Sequence, residues 1–77
     1  MKSADVFFRS ITEVKEFVNI VRSIKGNVTL SDKRHSVNAK SIMGIFCLNL
    51  SRVLELKIDH WDEQYEPLLA KYIVEYH

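Results

Sequence analysis

The sequence predicts an α+β fold, an open-faced β-sandwich in which three helices cover one face of a four-stranded antiparallel sheet, in the order βαββαβα. Apolar residues recur with a period of 3.6 in some segments and with a period of 2 in others, which predicts both helices and half-buried strands. A chain of 77 residues is too short to cover both faces of a sheet. Residues 1–77 are therefore expected to form a single domain.

The first strand and the first helix are predicted from consecutive signals. The run Val6–Phe8 has the composition of a short strand. Ser10 and Glu13 have the spacing of a capping box, in which each side chain accepts a hydrogen bond from a backbone N–H at the start of a helix. Gly26 is expected to end this helix. The apolar stripe of this helix consists of Ile11, Val14, Phe17, Val18, Ile20, Val21 and Ile24.

After Gly26 the apolar period changes to 2, which predicts a hairpin. Val28 and Leu30 face the core from its first strand, and residues 36–39 form its second strand. Lys33 and Arg34 lie in the polar turn between them. This basic turn is either simply solvated or, together with Lys40, a surface that receives an acidic partner.

The next segment predicts a short helix and then the last strand. Ser41 precedes an apolar run with helical spacing, which Gly44 weakens. Ile45 and Leu48 suffice for the buried face of this helix. The other apolar side chains are then expected to lie toward solvent as a partner-binding surface, formed by Ile42, Met43 and Phe46. The last strand is predicted to contain Val53, Leu54, Leu56 and Ile58, with Glu55 and Lys57 alternating with the apolar residues.

The C-terminal segment predicts a long final helix. Asp62 is its expected N-cap, or else the regular helix begins at Pro67 after a loose turn. Its apolar stripe consists of Leu68, Leu69, Tyr72, Ile73 and Tyr76. The residues predicted to be buried in the whole fold include Val14, Phe17, Val18, Val21, Val28, Leu30, Ile45, Leu56, Leu69 and Ile73.

The composition of the chain argues against several classes of function. Eleven basic and ten acidic residues give a net charge of +1, which predicts no general attraction to nucleic acid or to a membrane surface. The single cysteine, Cys47, excludes an internal disulfide and favours a reducing, cytoplasmic location. None of His35, His60 and His77 has metal-ligand spacing with another histidine or with Cys47. We expect a monomer without a metal or cofactor, and not an enzyme.

The element order and the run from Ser36 to Ile45 resemble the HPr family, the histidine-containing phosphocarriers of the bacterial sugar phosphotransferase system. The Lys-Ser-Ile-Met-Gly segment around Ser41 is similar to the regulatory serine motif of that family, where a serine starts the short second helix. The resemblance therefore implies Ser41 as a regulatory phosphorylation site. It also implies that the second helix docks protein partners.

The chain departs from the family at the phosphocarrier site. HPr proteins carry the phosphoryl group on a histidine within a Gly-(Leu/Ile)-His-Ala-Arg-Pro-Ala run, and the corresponding stretch here is Arg9–Val14. Ser10 occupies the histidine position, Thr12 the arginine position and Glu13 the proline position. A serine without an adjacent base is a poor nucleophile, and Glu13 adds a negative charge next to an incoming phosphate. The resemblance thus implies a divergent member that lacks the active-site histidine.

Three functions remain open at this level. The first is a regulatory or interaction module of sugar transport that binds partners of the phosphotransferase system or an HPr-type kinase. The second is an accessory phosphocarrier with an acceptor other than histidine. The third is an HPr fold recruited to unrelated protein binding.

Overall fold

Three helices and five strands alternate along the chain in the computed structural model, which describes all residues from Met1 to His77. The elements are β1 (Lys2–Val6), α1 (Ile11–Val21), β2 (Val28–Ser31), β3 (Ser36–Asn38), α2 (Ile42–Ile45), β4 (Leu54–Ile58), α3 (Tyr65–Leu69) and β5 (Ile73–Tyr76). None of the helices has the length and apolar character needed to cross a membrane.

All five strands form one antiparallel sheet in the order β3-β2-β4-β1-β5. Leu56 in β4 lies opposite Leu30 on one side and Ala4 on the other. All three side chains are buried, and the residues that alternate with them are more exposed. The strands therefore share one buried face. The helices contribute to the same core, as expected for an open-faced sandwich.

The predicted four-stranded sheet is wrong by one strand, because residues 73–76 form β5 instead of the end of a helix. Ile73 lies opposite Val6, and the ladder continues beyond β5 with a hydrogen bond from His77 N to Ser3 O of 2.9 Å. Ile, Val and Tyr favour strands, and the outer edge of β1 offers unpaired backbone groups. Pairing with this edge overrides the helical spacing of the segment.

The last helix is accordingly short, which contradicts the prediction that it is long. α3 contains five residues, and its N-cap is Gln64, which makes no side-chain capping bond. Asp62 instead organises the preceding turn, where its carboxylate accepts a hydrogen bond from Gln64 N at 3.0 Å. Pro67 falls within the first turn of α3, where its missing N–H removes no intrahelical bond.

The core agrees closely with the predicted buried set. Nine of the ten residues predicted to be buried are buried, and Ile73 is half-buried against the core as part of the edge strand. Ile11 departs from its predicted stripe, because it is the first residue of α1 and its side chain is 52% exposed. The four buried side chains of α1 are Val14, Phe17, Val18 and Val21.

An aromatic cluster ties the C-terminal segment to α1. The rings of Phe8, Phe17 and Tyr72 contact one another with centroid separations of 5.0–5.8 Å. The Tyr72 hydroxyl donates to Glu16 Oε1 at 3.2 Å, and Lys71 Nζ lies 2.8 Å from the same oxygen. Burial, reinforced by the Glu16 carboxylate, raises the pKa of Tyr72 to about 12. These contacts hold the segment before β5 in place.

Candidate functional site

The start of α1 is closed by the capping box that the sequence predicts. The backbone N–H of Glu13 donates to Ser10 Oγ at 3.2 Å, and the backbone N–H of Arg9 donates to Glu13 Oε1 at 2.8 Å. Both side chains at this helix start are therefore used by the chain itself. The only ionised group among these capping side chains is a carboxylate, which repels a second anion.

The three histidines make their contacts elsewhere. His35 lies in the β2–β3 turn, with Nδ1 3.8 Å from Asp32 Oδ1. The ring of His60 lies directly against Gly26. His77 Nε2 lies 2.7 Å from Asp5 Oδ1 at the edge of the sheet. None of these contacts involves residues 8–14, where α1 begins.

Ser41 is the N-cap of α2. Its Oγ accepts a hydrogen bond from Gly44 N at 3.2 Å, and its side chain is partly exposed. Two basic residues lie next to it along the chain or in space. Lys40 precedes it, and Arg22, the C-cap residue of α1, donates from Nε to the Lys40 carbonyl at 3.4 Å. The serine therefore caps a helix within reach of solvent and beside positive charge.

The three residues predicted as a partner-binding surface, here called the α2 patch, are Ile42, Met43 and Phe46. Met43 is 73% exposed and Phe46 is 41% exposed, as expected. Ile42 is instead half-buried and packs against the core. The neighbouring Cys47 is exposed, and its thiol lies 3.5 Å from the Met43 carbonyl. The solvent-facing part of the patch thus centres on Met43 and Phe46.

Lys40 does not join the basic turn at Lys33 and Arg34. Its Nζ donates to the Ile24 carbonyl at 2.6 Å and to the Gly26 carbonyl at 3.0 Å, so it binds the turn that joins α1 to β2. The basic residue that the fold brings near the turn is Arg52, from the loop after α2. Nothing in the local sequence indicates this proximity, because β3 and α2 separate the two loops along the chain.

Comparison with known families gives one match. A sequence model described as "PTS HPr component phosphorylation site" matches residues 12–72, which is most of the chain. The match includes Ser41 and the α2 patch and begins two residues after Ser10. No protein of curated function and no solved structure matches the chain significantly. On this match, together with the observed open-faced sandwich, the chain belongs to the HPr family of the phosphotransferase system.

Proposed function

We propose that this HPr-family protein is a regulatory or interaction module without histidine phosphocarrier activity. It acts by binding partner proteins in the cytoplasm rather than by catalysis. The α2 patch contacts the partner, and phosphorylation of Ser41 regulates that contact.

The observation that carries the proposal is the closed capping box at the start of α1. Phosphoryl transfer through HPr needs a nucleophilic imidazole and a guanidinium that holds the phosphate. Ser10 and Thr12 supply neither group, and the Glu13 carboxylate, which accepts a hydrogen bond from Arg9 N at 2.8 Å, adds a negative charge at the same helix start. This arrangement favours loss of the phosphocarrier step.

The geometry of α2 supports the regulatory part of the proposal. The residue next to the cap oxygen of Ser41 is Gly44, which adds no charge. A phosphate on Ser41 would carry a charge of about −1.5 to −2 beside Met43 and the basic side chain of Arg22. Such a charge at the border of an exposed apolar patch changes its affinity for a partner without requiring a change of backbone.

Two incubations test the proposal. With an HPr-type kinase and ATP, mass spectrometry is expected to find one phosphate on the wild type and on Ser10→Ala, and none on Ser41→Ala. With phosphoenolpyruvate and the general phosphotransferase enzyme, we expect no acid-labile phosphate on any histidine. Equal phosphorylation of wild type and Ser41→Ala would remove the regulatory role.

The same incubations separate the alternatives. Acid-stable phosphate that is transferred from the general enzyme to Ser10 would identify an accessory phosphocarrier. Absence of phosphate in both incubations, with no binding to either enzyme, would favour an HPr fold recruited to unrelated protein binding. Met43→Ala and Phe46→Ala, which remove exposed side chains, are expected to weaken partner binding without unfolding the protein.

A further inference from the structure

A cleft of about 900 Å³ opens between the β2–β3 turn and the loop that joins α2 to β4. Lys33, Arg34 and His35 line it from the turn, and Asn49 and Arg52 line it from the loop. Its volume falls within the range of about 300–1,000 Å³ that is typical of small-molecule sites. Neither Ser41 nor any residue of the α2 patch lines this cleft, so an inference drawn from it does not depend on the proposed function.

The cleft concentrates positive charge that has no partner within the chain. Lys33, Arg34 and Arg52 form no ion pair, since the ion pairs of the protein involve other side chains. Against the single carboxylate of Asp32, these three cations give the cleft a net charge of +2 with His35 neutral. The whole chain has a net charge of only +1, so the remaining surface is slightly acidic.

Asp32 forms no ion pair with these three cations, and its oxygens accept hydrogen bonds from backbone N–H groups instead. Oδ1 accepts hydrogen bonds from the backbone N–H groups of Arg34 and His35, both at 2.7 Å, and Oδ2 accepts one from Asn49 N at 3.2 Å. These hydrogen bonds, that from Arg34 first, hold the pKa of Asp32 below its usual value. The carboxylate fastens the turn to the facing loop, and the walls of the cleft are thereby fixed relative to each other.

We propose that this cleft binds a small ligand that carries a diphosphate group. Arginine presents a planar fork of donors that matches phosphate oxygens, and Arg34 and Arg52 approach from two different loops. A single phosphate group has a charge of about −1.5 to −2, close to the net charge of the cleft. Two linked phosphate groups present more acceptor oxygens, so that the three cations on the two loops can each have a phosphate partner. The cleft is partly open to solvent, and only the turn and the facing loop line it, which favours a small molecule over an extended peptide segment.

The test uses sodium pyrophosphate as the probe and amide chemical shifts of the full chain as the readout. We expect saturable shifts confined to the β2–β3 turn and the α2–β4 loop. Arg34→Gln and Arg52→Gln should each raise the Kd about tenfold, because a hydrogen bond to a charged group contributes roughly that factor. Both side chains are in exposed residues that make no side-chain hydrogen bond, so both variants should keep the wild-type spectrum elsewhere.

The matched control is Lys15→Gln, which removes one positive charge from an exposed position on α1 and should leave the Kd unchanged. An equal loss of affinity in Lys15→Gln, shifts spread over the whole surface, or no saturable shift at millimolar pyrophosphate would each overturn the proposal. Inorganic phosphate that binds as tightly as pyrophosphate would overturn the diphosphate assignment. A short aspartate peptide that binds more tightly would show instead a surface for acidic proteins. Ser41→Ala should bind pyrophosphate with the wild-type Kd, because Ser41 does not line the cleft. Failure of the regulatory role of Ser41 would therefore leave this proposal unaffected.

Discussion

The two helices α1 and α2 begin with the same cap but differ in the residue that completes it. Ser10 and Ser41 each accept a hydrogen bond from the backbone N–H three residues later, in both cases at 3.2 Å. In α1 that residue is Glu13, whose carboxylate returns to the N–H of Arg9. In α2 it is Gly44, which has no side chain. The same cap is therefore accompanied by a negative charge in one helix and by none in the other.

This difference shows that a capping serine does not by itself decide whether a helix start accepts a phosphate. A carboxylate three residues after the cap satisfies a free donor and repels a second anion. The close packing of α2 accounts for the small residue at its third position. A Cβ on Gly44 would lie 3.3 Å from Val37 Cβ and 3.5 Å from Ser41 Oγ, which is tight against β3.

The largest expected effect comes from giving α2 the acidic residue of α1. We expect Gly44→Glu to lower phosphorylation of Ser41 by an HPr-type kinase about tenfold, because negative charges a few ångström apart repel by about 1 kcal/mol or more. Gly44→Gln is the matched control, since it crowds Val37 to the same degree without the charge. Rates measured by mass spectrometry that are equal in the two variants would contradict the electrostatic explanation.

Removal of the caps should affect stability unequally. We expect Ser10→Ala to lower the free energy of unfolding by about 1–2 kcal/mol and Ser41→Ala by about 0.5 kcal/mol, within the range known for N-caps. Ser10 starts a helix of eleven residues, whereas α2 has four residues. Urea unfolding with an unchanged m-value measures both changes. A larger loss for Ser41→Ala would reverse the comparison.

A smaller effect is expected when the charge alone is removed from the capping box of α1. Glu13→Gln keeps an oxygen that can accept from Arg9 N but loses the favourable interaction of a carboxylate with the start of the helix. We expect a destabilisation smaller than that of Ser10→Ala, and one that decreases as salt is added. Urea titrations of wild type and Glu13→Gln at low and high salt measure this difference in unfolding free energy. A destabilisation that does not depend on salt would indicate a packing effect instead.

The smallest predicted effect is the pH dependence of the stability that His77 contributes. This residue lies at the edge of the sheet, away from both helix starts. The hydrogen bond to Asp5, with the nearby Glu55 and Glu75 carboxylates, raises the pKa of His77 above its ordinary value of 6.5. Its contribution to stability is fully present below pH 6.5 and is lost as pH rises through the raised pKa. The difference in unfolding free energy between wild type and His77→Ala should therefore decrease from mildly acidic to alkaline pH. An unchanged difference would mean that the imidazole is not charged in this contact.

The capping box at Ser10, the stripe of α1 and the hairpin strands could be predicted from the sequence because each depends on residues a few positions apart. The exposure of Met43 and Phe46 followed from the same periodicity. The end of the chain could not be predicted in this way. Helical spacing and strand composition coexist in residues 73–76, and the choice depended on a free edge of β1 that lies about 70 residues away in the sequence.

The features of the candidate sites also differ in whether they depend on local sequence or on the tertiary structure. The sequence by itself determined the helix caps, the buried face and the absence of a histidine at the start of α1, since these are properties of short segments and of residue identity. Only the tertiary structure decided that Lys40 binds carbonyls of the turn between α1 and β2, and that Arg52 and Arg34 line the same cleft. Long basic side chains reach partners through space, and chain separation carries no information about which partner the fold brings within hydrogen-bond distance.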